Sequence, residues 1–387
     1  MCRINIMHLI EGAKQAEGLT VIIDVFRAFS LECYLYDMGV KQIRPVGTIE
    51  EAFSLRNRIQ NSILIGERQG KKCDGFDYGN SPSTILKEDV AGKTIIHTTS
   101  AGTQGIVNAV HASEIITGSL VNAKAVAEYI IARQPQTVSL VCMGNGGVRP
   151  APEDELCAEY IKSILEGREI LDLEQRVSGL KNNGGEHFFD KTRQNIFPEA
   201  DFYMCIKYNK FPFVIKIEKD EIGYVARKEN VPVLELVRVG VEDAKRLWEM
   251  QVEAFMELYH KYQDTETSPA AEPIDKIIMR LEQPFTYYYY LQVDNDIVGA
   301  IRVIDKKEDG KAKRISPIFV MPHYRSRGIA QKAILEAERI HGASHWEVDT
   351  ILQEKGNCRL YEKMGYYQTG QTKVINDKMT LVSYKKE

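Results

Sequence analysis

The chain has 387 residues, 44% of them hydrophobic and 27% charged, a make-up that fits two folded domains and excludes a disordered polymer. Its 50 Lys and Arg against 54 Asp and Glu leave a net charge of -4, which excludes a broadly basic nucleic-acid-binding surface. No apolar run reaches the roughly 20 residues of a membrane span. Met1–Ile10 has neither the apolar stretch nor the cleavage site of a signal peptide, so a cytoplasmic location is expected.

From Leu19 to Ile217 short β-branched runs alternate with helical stretches. Strands are predicted at Val21–Val25, Val40–Val46, Ile63–Ile65, Thr94–His97, Glu114–Thr117 and Thr137–Cys142, with helices over 49–59 and 123–133 among them. The runs are continuously apolar, as expected for strands covered on both faces, and their alternation with helices points to a layered α/β domain. In such folds function gathers where strands end. Asp24 and Arg27 follow the first run, and Glu67 and Arg68 the third, trailed by Asp77, Asn80 and Ser81. Thr98, Thr99, Ser100, Gly102 and Thr103 follow the fourth, and Glu153 and Asp154 lie beyond the last.

These residue types suit anion handling with a metal. Hydroxyls and glycine N–H groups of Thr98–Thr103 at a helix start can hold phosphate, or can equally cap that helix. Arg27 and Arg68 can pair with phosphate oxygens. Asp24, Glu67, Asp77, Glu153 and Asp154 offer hard oxygen ligands for Mg²⁺. An Asp-x-Asp nucleophile is absent, because Val25 and Phe26 follow Asp24. Six residues lie between Cys142 and Arg149, one too many for a cysteine-phosphatase loop, and Pro150 follows. The seven cysteines are scattered, with no Cys-x-x-Cys pair, and read as reduced thiols rather than disulfides or structural zinc ligands.

The pattern lapses into a charged stretch at Glu218–Asn230, taken as the boundary between a domain at 1–220 and one at 231–387. The second begins with a strand at 231–238 and a helix whose apolar stripe runs over 241–262. Strands at 285–293 and 297–303 form a hairpin about Asp294-Asn295-Asp296. A further strand, Arg314–Val320, leads into Arg325-Ser326-Arg327-Gly328-Ile329-Ala330 and a helix through His341. Small residues there let backbone N–H groups approach a diphosphate at the positive end of a helix. After a strand at 346–350, Asn357 and Tyr361 are four apart and share one helix face. An amide for a pantetheine arm and a phenol to protonate a leaving thiolate suit a thioester cofactor.

The second domain, about residues 231–387, resembles the GNAT superfamily of N-acetyltransferases, an α+β fold with a mixed, mostly antiparallel sheet. The resemblance rests on Arg325-x-x-Gly328-x-Ala330, Asn357, and Leu360-Tyr361-Glu362-Lys363-x-Gly365-Tyr366. It implies acetyl-CoA at Val320, Arg325, Arg327, Gly328, Ile329, Ala330 and Asn357, with Tyr361 as general acid. The expected strand carboxylate is missing from Arg314–Val320, leaving Glu253, Asp264 and Glu266 as candidate bases, with loop 262–270 expected to line an amine-acceptor pocket.

The first domain, about residues 1–217, resembles the 2-phosphosulfolactate phosphatase family. The match is carried by Val21-Ile22-Ile23-Asp24-Val25-Phe26-Arg27, Gly66-Glu67-Arg68, Gly75-Phe76-Asp77-Tyr78-Gly79-Asn80-Ser81-Pro82 and Thr98–Thr103. It implies a three-layer α/β/α fold and Mg²⁺-dependent hydrolysis of a small anionic phosphoester, with Asp24 catalytic as nucleophile or metal ligand. The expectation is a bifunctional enzyme acting on a phosphoester and, with acetyl-CoA, on an amine, and binding neither nucleic acid nor membrane. A homo-oligomer is compatible with this composition. The rival reading is an acetyltransferase regulated by a first domain that binds a phosphometabolite without hydrolysing it.

Overall fold

The first unit follows from strands whose apolar side chains alternate between two cores. These strands are β1 (Arg3–His8), β2 (Gly18–Ile23), β3 (Gln42–Pro45), β4 (Ser62–Arg68), β5 (Lys71–Lys72), β6 (Thr94–Thr98), β7 (Ala112–Gly118), β8 (Thr137–Cys142), β9 (Phe213–Asp220) and β10 (Gly223–Asn230). In β2, Leu19, Val21 and Ile23 enter one core while Ile22 enters the other, and β8 divides Val138, Leu140 and Cys142 from Val141 in the same way. Helix Ala28–Asp37 covers one face, and helices Ala123–Arg133 and Pro152–Leu165 cover the other, giving the three layers. The computed structural model describes every residue except 1, 87, 169, 232, 233, 294, 295 and 309.

Among the described residues the ten strands form one sheet in the order β1-β8-β2-β7-β9-β10-β3-β6-β4-β5. Two groups are parallel, β1-β8-β2-β7 and β3-β6-β4. The hairpin β9–β10 joins them, antiparallel to β7 on one side and to β3 on the other. The two parallel groups therefore run in opposite senses. The charged stretch 218–230 is thus no junction but most of the central hairpin. Its exposed Glu218, Lys219, Arg227 and Lys228 mask the strand pattern, while Val225 and Ala226 are buried. The chain divides into compact units at Met1–Val231 and Pro232–Glu387.

The second unit holds β11 (Leu234–Arg238), β12 (Thr286–Val293), β13 (Asp296–Ile304), β14 (Lys313–Val320), β15 (Trp346–Ile351), β16 (Tyr367–Asn376) and β17 (Met379–Lys386). Among the described residues its sheet runs β11-β12-β13-β14-β15-β17-β16, antiparallel except for β14–β15. That parallel pair is joined only over Lys313–Ile315 and Trp346–Val348, after which the two strands part. Helix Ala244–Tyr262 realises the apolar stripe, and helix Ile329–His341 follows β14. Two residues of the expected strand 231–238, and Asp294-Asn295 of the expected turn, lie outside the described residues. No helix among the described residues is long and apolar enough to cross a membrane.

Candidate active sites

Asp24 leaves the end of β2 and is 7% exposed. Its carboxylate accepts a 3.3 Å hydrogen bond from the Ala28 amide, at the start of helix Ala28–Asp37. Burial pushes the Asp24 carboxyl up to about 7, with Ala28 and Gly102 amides and His97 opposing and the Glu67 charge assisting. Close enough to feel its charge, Glu153 in the first turn of helix Pro152–Leu165 is also 7% exposed, and its Oε2 has no hydrogen-bond partner. Burial, with Asp24 and Glu186 nearby, pushes Glu153 up to about 7 as well. Gly102 is required beside this pair. A Cβ there would come within 2.9 Å of Asp24 Oδ2 and 3.0 Å of Ala28 Cβ.

The other expected metal ligands hold the backbone instead. Asp154 accepts the amides of Val25 and Gly144, both at 2.8 Å, and so ties the ends of β2 and β8. Burial, with Asp24 and Glu153 close by, raises its carboxyl well above the usual range. Glu67 accepts from the Gly70 amide (2.6 Å) and from the Ser100 amide (2.6 Å) and hydroxyl (3.1 Å), pinning one loop to the other. Asp77 takes no part in this cluster. Its carboxylate is committed to Arg56 at 2.9 and 3.2 Å and to the Leu64 amide at 2.8 Å, closing its own motif.

The expected phosphate clamp is also largely spent. Arg27, 3% exposed, donates to Asp201 at 2.8 Å and to the Ile196 and Gly70 carbonyls, and stacks on Phe197 and Phe188. It is a buried ion pair rather than a free guanidinium. Arg68 donates to Thr98 Oγ1 at 3.0 Å and to the Glu67 and Gly47 carbonyls. Thr99 and Thr103 exchange amide-to-hydroxyl bonds of 2.9 and 3.0 Å, the capping option for this cluster. The loop's Ser100 and Gly102 amides meet the carboxylates of Glu67 and Asp24. Ser81 caps the short helix Pro82–Ile85 and donates to Asp201 at 3.0 Å.

Three residues of this network escaped the sequence reading. Asp201 gathers Arg27, Ser81 and the Ser83 amide. His97, wholly buried at the end of β6, meets Glu32 at 2.8 Å and Asn80 Oδ1 at 3.3 Å. Glu32 Oε2 is left without a partner. The available signal was a carboxylate, Glu32, in the middle of a mostly apolar helix, with a histidine directly before Thr98.

Residues 4–220 match the family model described as 2-phosphosulpholactate phosphatase, more than half of the chain. This chain belongs to that family. A probable 2-phosphosulfolactate phosphatase of Bacillus subtilis (strain 168) is 32% identical over 216 residues, 55% of this chain and 92% of that protein. One of Clostridium tetani is 41% identical over 198 residues, covering 51% and 82%. In this phosphatase-family unit, then, the Asp24–Glu153 pair lies among residues of the matched segment.

The second unit carries a GNAT acetyltransferase domain, matched over residues 244–366. Its candidate site is a cleft of about 310 Å³ where β14 and β15 part, lined by Ser316–Ile318 on one side and Val348–Ile351 on the other. Asn357 and Tyr361 of helix Lys355–Lys363 both line it, as their spacing predicts. Burial, with Cys358 beside it, raises the Tyr361 phenol far above its ordinary value. From loop 262–270, Tyr262, Asp264, Thr267, Ser268 and Pro269 face the cleft. Of the three candidate bases only Asp264 does so. It is 3% exposed and bonded to the Glu266 and Thr267 amides and the Thr267 hydroxyl.

At the end of β14, Gly328 has φ +72° and opens helix Ile329–His341 without a side-chain cap. Arg325 is not free for a ligand. It ties this loop to helix Ala244–Tyr262 through Glu257 (2.9 Å) and the Ala254 carbonyl (2.6 Å), and to Val320 O. Arg327 is exposed, held by the His323 carbonyl, and Ile329 is buried at the helix start with Ala330 after it. Solved acetyltransferases align at low likeness. The microcin C7 self-immunity acetyltransferase MccE, in complex with acetyl-CoA and AMP, is 14% identical over 39% of this chain and 90% of that one, with a TM-score of 0.33. A spermidine N-acetyltransferase from Vibrio cholerae, with CoA and spermine, gives 13%, 39% and 93%, and 0.33.

Proposed function

We propose that the first unit hydrolyses a small anionic phosphoester of the 2-phosphosulfolactate kind at Asp24 and Glu153, with Mg²⁺. The observation that carries this reading is two buried carboxylates, Asp24 and Glu153, each held up to about 7 by burial, neither in an ion pair among the described residues, and one oxygen, Glu153 Oε2, unbonded. Such a pair fits a hard divalent cation, which brings the missing positive charge. When bound, Mg²⁺ supplies charge neutralisation for a phosphoryl group. The protein's own residues do the rest. Gly102 lets the Thr98–Thr103 loop approach Asp24 closely, Asp154 fixes the backbone that presents Asp24, and Glu67 holds the loops together. Arg27, paired with Asp201, positions rather than clamps. Phosphate release from a panel of phosphorylated hydroxyacids with Mg²⁺ tests this. Asp24→Asn should lower the rate by about 10³-fold or more and leave acetyl transfer unchanged. No release from any member of the panel sinks the proposal.

In the second unit, the same proposal has an acyl group pass from acetyl-CoA to an amine in the cleft between β14 and β15. The uncapped N-terminus at Gly328–Ala330 suits a diphosphate, and Asn357 suits an amide-bearing arm. Tyr361, kept protonated by burial, donates its proton to the leaving thiolate, and Asp264, which lines the same cleft, would take the proton from the amine. Thioester turnover against an amine panel tests this half, and a calorimetric titration showing no acetyl-CoA binding would overturn it.

A further inference from the structure

His8, Cys142 and Glu155 lie far apart in sequence, yet three elements bring them together. His8 and Cys142 are paired in the parallel register of β1 and β8, at the ends of both strands. Glu155 stands in the first turn of helix Pro152–Leu165. One ligand atom from each, an imidazole nitrogen, a sulfur and a carboxylate oxygen, lies within 4.8 Å of the other two. His8 Nδ1 and Glu155 Oε1 are 2.8 Å apart, and the Cys142 thiol points at the Asp154 carbonyl at 3.5 Å.

We infer that His8, Cys142 and Glu155 form a binding site for a borderline divalent cation of the zinc class, separate from the Asp24–Glu153 pair. A tetrahedral ion with bonds of about 2.0–2.3 Å spaces its ligand atoms about 3.5 Å apart, so only side-chain adjustment is needed here. The donor set of one nitrogen, one sulfur and one oxygen selects against Mg²⁺, which avoids thiolate, and favours zinc, cobalt or nickel. His8 and Glu155 are 49% and 37% exposed in their side chains, so an ion can enter from solvent and keep a water as fourth ligand. The thiol sits in negative surroundings: burial first, then Asp154 and Glu155, raise it far above its ordinary value. On binding, the Cys142 proton leaves to solvent and the cation takes its place. Among the described residues β1 is one of the sheet's two edge strands, held in the sheet by β8 alone. An ion here would staple that edge to the helix turn that also carries Glu153 and Asp154.

The test is a Co²⁺ titration of the full chain in saturating Mg²⁺, followed by the thiolate-to-cobalt charge-transfer band. The expected result is a band that saturates at one equivalent, is displaced by Zn²⁺, vanishes in Cys142→Ser and persists in Cys2→Ser. His8→Ala, at a half-exposed position that leaves packing intact, should weaken or remove the band even if Cys142→Ser fails to fold. Zn²⁺ should raise the melting temperature of the unsubstituted chain and not of His8→Ala. A missing band, or one that survives Cys142→Ser or is lost with Cys2, would overturn the site.

Discussion

In the first unit most polar groups around the candidate site already satisfy one another, the Oε2 atoms of Glu153 and Glu32 excepted, and in the second they border an open cleft. Arg27 is consumed by Asp201, the loop amides by Glu67 and Asp24, and the threonines by each other. By contrast, Asn357, Tyr361 and Asp264 line about 310 Å³ of space created where β14 and β15 stop pairing. A network of buried charges is rigid because each member is the other's only solvent, whereas a cleft between parted strands gains its function from what it leaves unfilled. The same substitution of one polar group should therefore have different consequences in the two places.

The largest effect is expected at Asp201. Asp201→Ala strands Arg27 at 3% exposure without its anion and should destabilise the first unit by about 3–5 kcal/mol, read by urea unfolding. A loss below about 1 kcal/mol would show that the network is not closed as described. Tyr361→Phe removes a hydroxyl from the cleft and should lower the acetyl-transfer rate by about 10²-fold, equivalent to about 2.7 kcal/mol, while unfolding stays nearly unchanged. Equal damage to stability would erase the contrast between the sites. Gly102→Ala places a methyl against Asp24, Ala28 and Phe29 and should destabilise by about 1–3 kcal/mol while slowing phosphate release. If release slows with no change in stability, the crowding acts on Asp24 alone.

The smallest effect is a pH dependence in the second unit. Burial would raise the Glu272 carboxyl, yet Arg280 and Lys276 outweigh it and hold it below its ordinary 4.5. A depressed acid stabilises the fold above its unfolded value and loses that contribution as pH falls through the folded one. Stability of the unsubstituted chain should therefore bend downward below pH about 4.5 more steeply than that of Glu272→Gln, by denaturation at stepped pH.

The second unit was the more legible in sequence. Its loop at Gly328 and the pair Asn357–Tyr361 are local, set by spacing along one helix and one turn, and a single chain displays such spacing directly. In the first unit the strands were legible because buried runs such as Ile22–Ile23 and Leu140–Val141 have nowhere else to go. Asp24 and Glu153 were legible as acids at strand and helix ends. Their partners were not. That Arg27 would be claimed by Asp201, 174 residues on, is a fact of topology that no local pattern encodes. The hairpin β9–β10 was hidden for a related reason. One end of it carries surface charge, so its alternation resembled a linker although its other end is core.

That hairpin also bears on how the chain is made. It is the last part of the first unit to be synthesised and sits at the middle of its sheet, between the strand groups β1-β8-β2-β7 and β3-β6-β4-β5. Until the hairpin has left the ribosome, β7 waits for β9 and β3 for β10, each an unpaired edge of the kind on which nascent chains associate wrongly. A separately expressed first unit that stops at residue 220 would cover β7 with β9 but leave β9 and β3 each with an unpaired edge, because β10 is missing. The place to cut this protein in two lies after 230, where the central hairpin is complete.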